Sequence, residues 1–519
     1  MKKIIGLTLI VLTIIMGCSS SSIINKKNDD FNINNIMTNL EFLSSDELEG
    51  REATTRGERL AALYISTQLK KYGVKPFFSD SSYLQPFDVS VSSIDTNSTF
   101  SFLDNNQNLI NSFNFREDFF SRMEDAFAID TTTALVFAGY GITAQEYNYD
   151  DYSDINVAGK FVVLFSGEPS NGSEEFFKGE EETDYSSNEY KIKNAKDHGA
   201  LGCIIPVSEQ YQMYWEFIKR FAARPNFKLY DESSDKENFV SLSFNRNSLP
   251  RLFDYQPFSY DSLVSMSKLN SILPHFLMSE NFRINFHVYS ENRKAYNVVG
   301  VIEGTDEQLK DEFVAIGAHY DHLGQRNGEI YNGADDDGSG TVAVLEVAKV
   351  LAANRNNKRS VLIVFHTAEE KGLFGSEYFT NNFPALDKIS AQINIDMVGR
   401  ESIDTIFSVG SDKLSSELKQ IVETVNNDNT KFVFDYKFDD PNDPERIYYR
   451  SDHYNYARHG IPIVFFYDYM LSDYHKPSDD FEKINFNKIE KTARLVYNII
   501  DNISNLDHKL IVDKKEVEK

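Results

Sequence analysis

Three short apolar runs, FVAIGAH, SVLIVFHT and AQINIDMVG, lead into side chains that bind metal ions or move protons. His319 and Asp321 stand at the end of the first, Glu369 and Glu370 just after the second, and Asp396 within the third. Between the first two lies NGADDDGSG, which sets Asp335, Asp336 and Asp337 side by side between glycines. Adjacent like charges repel, and an ordinary fold has no need of them. The glycines mark a chain that must turn tightly or approach something closely. His475 follows near the C-terminus in SDYHKPSDD. Dispersed His, Asp and Glu side chains of this kind have the composition of a two-metal site, and imidazole with carboxylate suits zinc or another late first-row ion. Cations would relieve the repulsion within the acidic run. Without them the cluster should raise its own pKa values or loosen its loop.

These residues need elements to hold them. From about 285 onward, apolar strands alternate with helical segments such as GTVAVLEVAKVLAAN, which predicts an α/β fold with a mixed, largely parallel sheet covered by helices. Ligands of such sheets sit beyond the carboxyl ends of the strands, where the polar residues above fall. Earlier, Leu60, Leu63, Ile65 and Leu69 recur at helical spacing and Gly73 closes the helix. From 96 to 284 short β-like runs such as TALVFAGYGI and KFVVLFSG alternate with polar loops, and the acidic stretch 180–184 reads as a solvated loop. The expected organisation is therefore an N-terminal segment at 36–95, a β-rich insert at 96–284, an α/β segment at 285–510 and a charged tail at 511–519.

The chain has 519 residues, more than one ordinary core holds. Its net charge of -26 excludes nucleic acid as a partner, since phosphate binding needs clustered Lys and Arg. Its cysteines are Cys18 and Cys203, and Cys203 in LGCIIP reads as a buried strand residue. The N-terminus, MKKIIGLTLIVLTIIMGCSSSS, has two lysines before an apolar run and stops at Cys18. It resembles a bacterial lipoprotein signal at 1–17, cleaved before Cys18, with lipid on that thiol and a polar tether at 18–35. That places the protein outside the cytoplasm, in the cell envelope, attached to a membrane through its lipid.

The segments AHYDHLG, GADDDGSG, AEEKGLFGS, NIDMVG, RSDHYNYARHGIP and DYHKPSDD, in this order, resemble peptidase family M28. This is the co-catalytic zinc group of bacterial aminopeptidases and glutamate carboxypeptidase. FLSSDELEGRE is similar to the opening segment of that group. The stretch from FAGYGITAQEY to NAKDHGALGCII resembles an inserted protease-associated domain, at about 130–250. The resemblance implies a zinc exopeptidase-like fold and two zinc ions that share a water. It assigns the ligands: Asp336 between the two ions, His319 and Asp396 on one, Glu370 and His475 on the other. It implies Glu369 as general base, Asp321 as the carboxylate that orients His319, Asp337 as support for the turn, and Tyr448 as the stabiliser of the oxyanion. Asp335 is expected to lie behind the ligands or in solvent. His322 and His366 have no role in the motifs. Ser451, Asp452 and His453 are contiguous and cannot form a serine triad, so Asp452 and His453 are read as scaffold. HTAEE is not the helical HExxH of thermolysin-like enzymes.

The function implied is an exported metallo-exopeptidase that removes N-terminal residues from peptides. The alternatives are a carboxypeptidase or dipeptidase of the same family, a single-zinc transferase like glutaminyl cyclase, or an inactive surface binding protein. All five ligand positions and Glu369 are present, which favours two metals and activity.

Overall fold

The computed structural model describes residues 31–515, other than 80, 124, 172, 180, 223, 233–237, 269–271, 401, 470 and 471. The signal and Cys18 lie outside the described residues. Helix α1 (Ile33–Leu43) begins inside the stretch expected to be tether. Its start is set by Asn32, whose side-chain oxygen accepts the Asn34 amide at 2.9 Å, and by Asn35, whose side chain reaches Glu346 at 2.7 Å. Helix α2 (Arg56–Tyr72) ends at Gly73, left-handed at φ 81°. Ala61, Ala62, Ile65 and Leu69 form its buried face, whereas Leu63 is 44% exposed and belongs to the solvent side.

Strand β1 (Leu84–Ile94) leads into the insert. There β2 (Phe127–Ala138), β3 (Phe161–Val163), β4 (Gly202–Pro206) and β6 (Val240–Phe244) run parallel in that order, while β5 (Asn226–Leu229) pairs antiparallel with β1. Cys203 is buried on β4, as its apolar neighbours predict, and residues 181, 182 and 184 of the acidic stretch are exposed. The insert core is aromatic: Phe100, Phe113, Phe119, Phe137, Phe161, Phe244 and Phe282 pack in one cluster.

Strand β7 (His275–Ile302) carries the chain back. The expected boundary at 284/285 falls within it. Its first part pairs with β2 up to Val288, and its last part pairs with the sheet of the α/β segment from Val298. β1 accompanies it across the junction, Ile94 opposite Val288 and Leu84 opposite Val298. The insert thus shares an unbroken sheet with the rest of the molecule. A boundary read from composition misses this, because strand alternation is the same on both sides.

The elements that follow and position the site include β8 (Phe313–His319), α3 (Gly340–Asn354), β9 (Ser360–His366), α4 (Phe374–Asn382), β10 (Ile389–Asp396), β11 (Thr405–Val409), β12 (Ile463–Tyr467) and α5 (Phe486–Ser504). Across the sheet the order is β7, β9, β8, β10, β12, β11. The four central strands are parallel and the outer two antiparallel to them. Both faces are covered, as a parallel sheet requires. Val314, Ile316, Ile363 and Ile393 meet α1, α2, α3 and α5 on one face. Ala315, Leu362 and Val364 meet Phe379 of α4 on the other.

Candidate metal centre

β8, β9 and β10 all end at one edge, and His319, Asp396 and the loop after His366 meet there. The acidic run sits between β8 and α3. Two glycines shape it. Gly333 is left-handed at φ 57°, and a Cβ on Gly340 would collide with the Asp337 carboxylate and the Ile395 carbonyl. Ala368, Met397 and His475 also take positive φ, at 56°, 52° and 56°. Non-glycine residues held there concentrate at functional sites. The peptide between Asp336 and Asp337 is cis.

Asp336 is the centre of the arrangement. Its Oδ1 lies 3.4 Å from His319 Nε2, and its Oδ2 lies 3.3 Å from His475 Nε2. His319 Nε2 is also 3.5 Å from Asp396 Oδ1, and His475 Nε2 is 3.2 Å from Glu370 Oε2. Two donors bound at about 2.0–2.1 Å to one tetrahedral zinc stand about 3.3 Å apart, so the spacing on both sides suits such an ion. Asp336 Oδ2 and Asp396 Oδ1 are buried and accept no hydrogen bond. Buried carboxylate oxygens in that state fit a metal-binding cluster. The five ligand residues predicted from sequence are brought together.

Local contacts aim each donor. His319 is 1% exposed, and its Nδ1–H points at the Asp321 backbone carbonyl 3.1 Å away. The Asp321 carboxylate, expected to orient this ring, stands 3.7 Å from Nδ1, too far for a hydrogen bond. Its Oδ1 instead accepts the backbone amide of Glu369 at 3.1 Å. The Ser451 hydroxyl donates to Asp396 Oδ2 at 2.9 Å, which leaves Oδ1 turned to His319. Asp337 Oδ1 accepts the amides of Gly340 at 2.8 Å and Met397 at 3.1 Å, a support for the turn as predicted. Asp337 also falls within 4.8 Å of His319 and Asp396. With one oxygen occupied by two amides it serves less well as a bridge than Asp336, whose oxygens each face an imidazole. Asp335 is 2% exposed, so it lies behind the ligands and not in solvent; its Oδ1 accepts the Gly399 amide at 2.7 Å.

His322 was expected to take no part. It is fully buried, and its Nδ1 stands 2.9 Å from Glu370 Oε1 and 3.8 Å from Asp336 Oδ2. His366 does lie apart, with Nε2 3.1 Å from the Tyr456 hydroxyl. Asp452 and His453 are buried beneath the site.

The protonation of the cluster without metal follows from its geometry. Burial alone would raise the Asp336 carboxyl, but His322, His319 and His475 outweigh it and hold it well below the ordinary range. Burial and Asp336 push Glu370 up, yet His322 and His475 bring it down to about 2. Burial opposes the charged form of His475, and Asp336 and Glu370 overcome it, so its pKa reaches about 10. Glu369 behaves oppositely. Burial, with Glu370, Asp396 and Asp452 beside it, raises its pKa well above the carboxylate range despite His319. Two adjacent glutamates are thereby driven apart, one kept ionised and the other suited to accept a proton.

A cleft of about 360 Å³ opens on the cluster. Its walls include Glu369, Met397, Ile447, Arg450, Phe465, Tyr467 and Tyr474. Tyr448, expected at the reacting carbonyl, is not among them. Residues 447–449 form one helical turn after Arg446, itself left-handed at φ 52°. This turn sends Ile447 and Arg450 toward the cleft and Tyr448 inward, its ring 3.0 Å from where a Gly410 Cβ would stand. Sequence spacing gave no sign of this, because no motif fixes that loop. Arg400 pairs with Asp473 at 3.2 Å and Asp479 at 2.9 Å, whereas Arg450 donates to the Tyr474 hydroxyl at 3.3 Å on the cleft wall.

Residues 297–500 match the model of peptidase family M28. A probable leucine aminopeptidase 2 of Aspergillus oryzae is 34% identical over 33% of this chain and 33% of its own length. A probable leucine aminopeptidase of Trichophyton verrucosum is 29% identical over 38% of this chain and 55% of its own. The chain thus spans between about a third and about half of these curated relatives. An aminopeptidase from Aneurinibacillus sp. strain AM-1 has a similar fold, with a TM-score of 0.53, 17% identity, and coverage of 94% of this chain and 97% of that one.

Proposed function

We propose, from the match of residues 297–500 to the model of peptidase family M28, that this protein is a two-zinc aminopeptidase of that family. One observation carries the reading: each oxygen of Asp336 faces a different imidazole, at 3.4 Å and 3.3 Å, with a further carboxylate beside each. His319 and Asp396 would hold one ion, Glu370 and His475 the other, and Asp336 both. Zinc, when bound, supplies the positive charge that polarises a peptide carbonyl and makes water acidic near neutral pH. Glu369, on the cleft wall, takes the proton from the attacking water and returns it to the departing amine. The carboxylates around the cleft attract the ammonium of a free N-terminus. The names of the curated relatives favour the same end of the peptide.

The test is zinc content together with cleavage of unblocked aminoacyl amides and of their N-acetyl forms. Two ions per chain and cleavage of only the free amines are expected. A second reading has one observation in its favour. Arg450 stands on the cleft wall and could clamp a C-terminal carboxylate. Rapid removal of C-terminal residues from N-blocked peptides would select it.

Export as a lipoprotein anchored through Cys18 is part of the proposal and rests on the sequence of residues 1–22. No helix among the described residues is long and apolar enough to cross a membrane. Cys18→Ser should release the protein from membrane fractions or block its processing. Unchanged membrane association would point to an uncleaved anchor.

A further inference from the structure

The two groups of donors around Asp336 are anchored differently. His319 ends β8 and Asp396 ends β10, neighbours in a rigid sheet. Glu370, His475 and Asp336 itself all come from loops. One residue ties the last two loops together. Asp479, four positions after His475 and 3% exposed at its side chain, receives the backbone amide of Asp335 on Oδ1 and Oδ2 at 3.1 and 3.0 Å. Its Oδ2 also receives the Asp336 amide at 3.1 Å. Its own carbonyl accepts the Ala334 amide at 3.1 Å. Arg400 fixes the carboxylate from behind at 2.9 Å and is itself held by Asp473 at 3.2 Å. Asp479 touches neither a donor atom of the cluster nor the cleft. It fixes the backbone on which Asp336 is carried, relative to the loop that carries His475.

We infer that Asp479 is a positioning residue that sets the affinity of the loop-held ion, whose ligands Glu370, His475 and the shared Asp336 all come from loops, more than that of the strand-held ion, which shares Asp336 but keeps His319 and Asp396. This rests on the two-zinc reading above. The orienting partners of metal ligands typically change affinity by about 10–100-fold when altered. Here the change should fall more heavily on the loop-held ion, because the strand-held ion loses only the aim of the shared Asp336 while β8 and β10 hold His319 and Asp396 without help from Asp479.

The experiment is metal titration of the full-length protein in buffers of graded free zinc, repeated with cobalt to follow the d–d absorption. Wild type should bind two ions. Asp479→Asn should bind the second ion about 10–100-fold more weakly and the first with a clearly smaller loss. Turnover lost at low zinc should return when zinc is raised, which simple misfolding would not allow. Arg400→Gln, which leaves the carboxylate but frees it, should weaken the same ion by a smaller factor and serves if Asp479→Asn does not fold. Wild-type affinity for both ions in the folded variant, or equal weakening of both, overturns the inference. Wild type that binds fewer than two ions overturns the underlying reading instead.

Discussion

The aliphatic core under the metal cluster and the aromatic core of the insert share strand β7 and divide its work. Toward its end, Val298, Val299 and Ile302 pack with the valines and isoleucines of β8, β9 and β10. Toward its start, Phe282, Ile284, Phe286 and Val288 enter a cluster dominated by phenylalanine. Every donor of the cluster comes from outside the insert. The branched residues of the first core suit strands buried on both faces, which must hold their ends in register to aim a polar side chain. The aromatic core fills volume with few residues and has no ligands to position. The expected consequence is that damage to the first core reaches the chemistry and damage to the second does not.

The largest effect tests the first region directly. Asp336→Ala should lose both ions and with them all turnover, measured as zinc per chain. Retention of one ion would break the symmetry of the proposed bridge. Next, Glu369→Gln should keep both ions and lower kcat by about two to four orders of magnitude. Loss of zinc in that variant would mean that Glu369 and Glu370 have exchanged roles. The third prediction sets the regions against each other. Phe161→Ala in the insert and Ile393→Ala under the cluster both truncate fully buried side chains. They should cost about 3–5 and about 2–5 kcal/mol in urea melts, but only Ile393→Ala should weaken zinc binding. Equal losses of zinc would show that the cores are one cooperative unit.

The smallest effect is a pH slope. His453 stacks on Phe465 at 4.3 Å and donates Nε2–H to the Tyr448 carbonyl at 2.8 Å; burial takes its pKa down to about 3, with that hydrogen bond opposing. The unfolded chain gains a proton near pH 6.5 and the folded one does not, so stability falls as pH drops from 6.5 toward 3. The loss approaches about 1.4 kcal/mol per pH unit. His453→Gln should flatten the dependence of urea midpoints between pH 7.5 and 5.5. An unchanged slope would remove His453 as its source.

The residues at the strand ends were legible because each follows an apolar run whose type is evident, and their order along the chain matches one family. The supports behind them were not. Arg51 lies in LEGRE, where no motif singles it out; it is 1% exposed and donates to the carbonyls of Tyr320 at 2.7 Å, Asn332 at 2.6 Å and Gly333 at 2.9 Å. These three partners are backbone oxygens about 270–280 positions away, which leave no side-chain signature in sequence, and the Leu43 carbonyl is a fourth. Asp479 was hidden for the same reason. His322 was set aside because no motif uses it, and only packing reveals that it faces Glu370. Tyr448 failed because residue identity without loop geometry cannot say which of several neighbouring tyrosines faces inward.

Strand β7 is 28 residues long, a contour of about 90 Å at ~3.3 Å per residue. It crosses from one core to the other hydrogen-bonded to β1 all the way. A paired ribbon has no exposed peptide stretch for a protease to enter, so limited digestion should not release the insert as a fragment. It also has no swivel. Any movement of the insert relative to the rest of the molecule must bend two bonded strands together, as a leaf spring bends. Such motion is small in amplitude and recovers its shape.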